Sequence, residues 1–133
     1  MCVLAATAAH AQQVKYPYDV VDTIVLPKGD VRAGRQAFQD LKCLACHRVS
    51  GEREFAAPIA ELRGPDLNEL LQLQETSHIA AAIIAPSHSL SIRTSEAVKA
   101  QLSKMGVSPM GDFSRAMTVR QLADVLAYLR SVR

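Results

Sequence analysis

Apolar residues recur at helical spacing in five stretches of the chain. In VRAGRQAFQDLK the residues Ala33, Ala37, Phe38 and Leu41 fall on one face. Gly29-Asp30 offers an N-cap before them, and the pattern predicts a helix that runs into Cys43. Asp66 to Gln72 predicts a short helix with Leu67, Leu70 and Leu71 inward. HIAAAIIA follows the capping candidate Ser77 and is stopped by Pro86. Thr94 or Ser95 opens EAVKAQLSKM, where Val98, Leu102 and Met105 share a face and Gly106 ends the turn. Thr118 and Gln121 form a capping box ahead of a helix whose Leu122, Val125, Leu126 and Leu129 share a face.

The segments between these helices carry breakers or lack a period. Gly51 to Pro65 holds Gly51, Pro58, Gly64 and Pro65 and reads as loop, as does Ser108 to Arg115. Gln12 to Lys28 contains Pro17 and Pro27 around VVDTIV and reads as an extended surface arm. No sheet pattern and no internal repeat emerges, so the expected fold class is all-α.

Composition narrows the function. The chain has 133 residues, enough for one domain, and a net charge of +2. Bulk nucleic-acid binding calls for a far more basic domain. A core this small gains from burying a large cofactor. No apolar run reaches the roughly 18 residues that span a bilayer. The start, MCVLAATAAHAQQ, has a short apolar stretch and the A-x-A form at Ala9-His10-Ala11 of a signal-peptidase site. Residues 1–11 are therefore expected to be a signal remnant, 12–28 the arm and 29–133 the domain. Cleavage after Ala11 would remove Cys2 and leave only Cys43 and Cys46.

Those two cysteines stand in KCLACHRVSG, with His47 directly after the second. Three readings compete. A structural zinc site needs four ligands, usually two pairs, and only one pair with one adjacent histidine is present. A thioredoxin-like redox pair needs its first cysteine at a helix N-terminus, in a βαβ setting. Here it follows a helix, near the negative end of the dipole. The third reading is covalent haem, for which C-x-x-C-H is the attachment pattern. Two thiols add across the two porphyrin vinyl groups, and the next residue supplies an imidazole beneath the iron.

A second axial ligand would then come from Met105, Met110, Met117, His78 or His88. Met117 precedes the capping residue Thr118 and is expected to staple onto Leu122. Met105 lies on an apolar helix face and is expected in the core. His78 and His88 are expected at the surface, with His88 the second choice as ligand. Met110 sits between Pro109 and Gly111 in a loop, with no helix face to belong to, and is the first choice.

From Gly29 to Val132 the chain resembles a class I (mitochondrial-type) bacterial cytochrome c with one haem. GRQAFQDLKCLACH is similar to the family's first helix and haem site, GPDL to the turn after it, and SHIAAAIIAPS to the helix on the haem edge. SPMGDF is similar to the methionine-ligand loop and MTVRQLADVLAYLRSV to the last helix. The resemblance implies a bundle of four to five helices around haem c held through Cys43 and Cys46, with His47 and Met110 on the iron. It also implies that Gly34 and Phe38 meet the last helix near Tyr128, and that the Pro65 carbonyl accepts a hydrogen bond from His47.

The function implied is electron transfer between a donor and an acceptor protein in the periplasm, with no catalytic residues of its own. Leu67, Leu70, Ile83, Ile84, Phe113 and Leu126 would bury the haem. Arg48, Arg53, Lys99, Lys104 and Arg115 would form a basic docking rim. The arm and an insertion at 87–108 exceed compact family members. They motivate an alternative: the haem subunit of a periplasmic oxidoreductase, for example one oxidising sulfur compounds. A haem that senses gas or reacts with peroxide is the further rival, and it needs a labile sixth position. An uncleaved N-terminus would tether the chain to the membrane.

Overall fold

The structure, a computed structural model, describes residues 24–49, 64–90 and 94–132. Among these residues five α-helices follow one another: α1 Val31–Asp40, α2 Leu67–Leu73, α3 Thr76–Ile84, α4 Glu96–Met105 and α5 Val119–Ser131. Among the described residues the only extended pairing is one parallel bridge, Arg48 to Asp66. The fold class is all-α, as the helical spacing implied. The signal-like start, the arm as far as residue 23, and the loop at 50–63 with Pro58 and Arg53 lie outside the described residues.

The caps explain most helix starts. Orphan N–H groups at a helix N-terminus need acceptors, and short oxygen-bearing side chains supply them. Asp30 accepts from the Ala33 N–H at 2.8 Å, Asp66 from Asn68 at 3.0 Å and Ser95 from Val98 at 3.3 Å. Thr118 and Gln121 complete the capping box, with bonds of 3.1 and 2.9 Å.

The frame is the crossing of α1 and α5. Gly34 lies against the Asp124 backbone and the Tyr128 Cβ, where an added Cβ would overlap the Asp124 carbonyl. A smaller separation between the two helices is possible there than any other residue permits. One turn on, the Phe38 and Tyr128 rings tilt at 57° with centroids 5.5 Å apart, a favourable aromatic geometry. Phe38, Leu122, Val125, Leu126, Tyr128 and Leu129 are all buried. Each such side chain contributes roughly 1.5–3 kcal/mol. The buried Asp124 carboxylate accepts the Asp30 N–H at 2.8 Å, and Arg120 donates to the Lys28 carbonyl at 2.8 Å. These bonds fasten the end of the arm and the start of α1 to α5.

Three expectations are corrected. The first helix stops at Asp40 and does not reach Cys43. Leu41 and Lys42 turn their N–H groups back to Ala37 and Gln39, and Lys42 enters the left-handed region at φ 57°. α3 starts at Thr76, with Glu75 at its cap and no side-chain bond there, so Ser77 lies inside the first turn. Met105 is not core: it is 60% exposed, and no residue of α4 is buried. Apolar spacing gives a helix a face, but only an element laid against that face buries it.

Candidate functional site

The chain leaves α1 through a tight turn. Cys43 to Ala45 form one turn of 3-10 helix, and the Cys43 carbonyl accepts from both Cys46 (3.3 Å) and His47 (2.9 Å). The segment 64–67 is then zipped along 46–48. Gly64 donates to the Cys46 carbonyl at 2.8 Å and Leu67 to the Arg48 carbonyl at 2.9 Å.

This pairing clamps the His47 imidazole. Its Nδ1 lies 3.1 Å from the Pro65 carbonyl oxygen. A carbonyl only accepts, so Nδ1 carries the proton and the neutral ring keeps its lone pair on Nε2. Burial pushes the His47 pKa below the ordinary 6.5, with the Pro65 bond opposing, so the imidazole is neutral at neutral pH. Gly64 rests on the same ring. A Cβ there would stand 2.5 Å from Cε1 and 2.7 Å from Nδ1, well inside contact distance.

His47 and Cys43 open onto a solvent-connected cleft with almost wholly apolar walls. Its walls are Phe38 from α1, Leu67, Leu70 and Leu71 from α2, Ile79, Ala82 and Ile83 from α3, and Val125 and Leu129 from α5. Phe113, Met110 and Met117 close it from the α4–α5 connection.

Of the five candidate partners for His47, the structure brings Met110, Met117 and the exposed His78 to the cleft. Met105 and His88 do not line it; His88 is exposed on the turn after α3. Met117 also packs against the buried cluster that contains Leu122, in keeping with a staple. Of the six residues expected to surround the ligand, Leu67, Leu70, Ile83 and Phe113 line the cleft. Ile84 and Leu126 do not; from the same two helices Ile79 and Val125 line it instead. Cys46 is half-buried and does not line the cleft.

The environment of Cys43 weighs against thiol redox chemistry. Burial pushes its pKa from the ordinary 9.0 up to about 11, with the neighbouring Cys46 adding to the rise. A catalytic thiol needs the opposite shift. Among the described residues, no three His, Cys, Asp or Glu side chains gather as a zinc site requires.

The cytochrome c family matches residues 31–133, the span from the first residue of α1 to the last residue of the chain. The chain belongs to the cytochrome c family. No curated protein and no solved structure matches it. Cytochromes c carry haem c bound covalently, and Cys43 and Cys46 stand in the corresponding C-x-x-C-H spacing.

The residues fit that cofactor. Among the described residues, seven of the twelve in the buried cluster, Phe38, Leu71, Ile83 and Leu129 among them, also line the cleft, so the core itself supplies the apolar wall that a porphyrin needs. A neutral imidazole with its lone pair on Nε2 is the form that binds a metal. Sequence reasoning missed Gly64 as the rest for the imidazole and Val125 and Leu129 as wall. The helical period of α5 carried the second signal; nothing local carried the first.

Proposed function

We propose that this cytochrome c is a one-electron carrier in which His47 and Met110 would hold the haem iron. When bound, the haem supplies an Fe(III)/Fe(II) couple. Everything else in the proposal is work done by the chain.

Cys43 and Cys46 tether the ring from one short turn. Pro65 holds the Nδ1 proton of His47, which fixes the tautomer and raises the basicity of Nε2 toward metal. Met110 supplies a soft, neutral thioether, a pairing that raises the potential in this family. The aliphatic walls exclude water and disfavour the extra charge of the oxidised state. The observation that carries the reading is that Cys43, His47 and Met110 line one apolar cleft although 63 residues separate the last two.

Met110→Ala tests it. The ferrous wild type should bind carbon monoxide weakly, and the variant at least tenfold more tightly. Equal binding would remove Met110 from the iron and favour a sensor or a peroxide-reactive haem.

The donor and acceptor are read as proteins, docking on an exported, periplasmic chain. The signal-like A-x-A site supports that location. No helix among the described residues is long and apolar enough to cross a membrane. A second reading, the haem subunit of an oxidoreductase, draws support from the exposed Met105 and Val107 at the end of α4. Size exclusion of protein from its native source separates the two: a carrier elutes as a monomer, a subunit with its partner.

A further inference from the structure

Met110 lies in a connection with no helix of its own, yet the backbone around it is tied down by serines. Ser108 is buried, one of two such polar residues among those described. Its N–H donates to the Ser87 hydroxyl at 2.9 Å, across 21 residues of sequence. Its own hydroxyl accepts the Met110 N–H at 3.2 Å, and its carbonyl accepts from Gly111 at 3.0 Å. Ser87 follows the buried Pro86 at the end of α3, the helix whose Ile79, Ala82 and Ile83 form one wall of the cleft.

We infer that Ser87 and Ser108 are positioning residues for the sixth ligand. This rests on the reading of Met110 as that ligand. Ser87 registers the loop to the α3 wall, and Ser108 passes that register to the Met110 backbone. The thioether is then held against a rigid helix although its own segment is irregular. Both hydroxyls act as acceptors for backbone N–H groups, so alanine at either position deletes the acceptor and leaves a donor unmet. An irregular loop freed of such bonds opens more often. Threonine keeps the hydroxyl.

The test uses the haem-loaded ferric protein and imidazole as an exogenous ligand that competes with the thioether. Wild type, Ser87→Ala, Ser108→Ala, Ser108→Thr and Met110→Ala are titrated, and the far-red Met–iron band is followed with rising pH. Ser87→Ala and Ser108→Ala should each bind imidazole about tenfold more tightly than wild type and lose the band at lower pH. Ser108→Thr should behave as wild type, and Met110→Ala should bind tightest of all. If Met110→Ala binds far more tightly while both alanine variants match wild type, the serines merely brace the loop and the inference falls alone. If wild type and Met110→Ala bind imidazole equally, Met110 is not the ligand and both readings fall. A general loss of stability would lower the melting temperature of the alanine variants without changing imidazole affinity, which also overturns the inference.

Discussion

Cys43→Ser combined with Cys46→Ser should yield a chain that fails to melt cooperatively at 25 °C. The reason lies in how the core is built. Phe38, Leu67, Leu71, Ile79, Ile83, Val125 and Leu129 belong both to the buried cluster and to the cleft wall. Each presents one face to its neighbours and one to the occupant. Their neighbours already bury these side chains, so the group would add contacts across the cleft, each atom pair worth roughly 0.1–0.2 kcal/mol and all lost together when the tether is removed. A domain's total stability is only roughly 5–15 kcal/mol, so losing many such contacts at once is enough to abolish a cooperative transition. Far-UV circular dichroism and a thermal melt check this. A cooperative transition in the double variant at unchanged temperature would show that the core stands without the tethered group.

Gly64→Ala should lower the melting temperature of the holoprotein by about 10–20 °C. The added methyl would sit 2.5 Å from Cε1 of His47. Gly64 cannot retreat, because its N–H is fixed to the Cys46 carbonyl at 2.8 Å, and the Leu67 bond to Arg48 holds the strap from the other side. The imidazole must therefore move, and the Pro65 bond is strained with it. Overpacking of this kind costs roughly 1–3 kcal/mol, and each kcal/mol shifts the midpoint of a domain of about 100 residues by roughly 4–8 °C. Because the displaced ring is the proposed ligand, the same variant should also bring an altered optical spectrum. Gly106→Ala is a useful control, since nothing lies near its Cβ position and it carries only the strain of φ 71°. That variant should leave the spectrum untouched. An unchanged spectrum and melt for Gly64→Ala would mean the imidazole is not clamped as described.

Much of the fold was legible because helix faces and caps are local. The Asp30 and Thr118 caps and the α5 stripe could be read directly, and Ser95 as one of two candidate caps beside Thr94, since the residues that make them lie within a turn of one another. What was misread depended on distant partners. Met105 shares an apolar face with Val98 and Leu102, but whether that face is buried depends on which element lies opposite. The true start of α3 was obscured because Ser77 resembles a cap, while Glu75 sits at that position without using its side chain. At the site, the C-x-x-C-H spacing and the isolated Met110 were visible in short stretches. Gly64 against His47 and Ser87 against Ser108 were not, since each pair is joined only by the tertiary fold.

The optical spectrum of the chain, matured with haem and recorded in both oxidation states, decides whether His47 and Met110 hold the iron. A c-type spectrum with the far-red Met–iron charge-transfer band in the ferric state is expected, with loss of that band in Met110→Ala. A colourless protein holding zinc, or a c-type spectrum whose ferric state lacks the band, would contradict it.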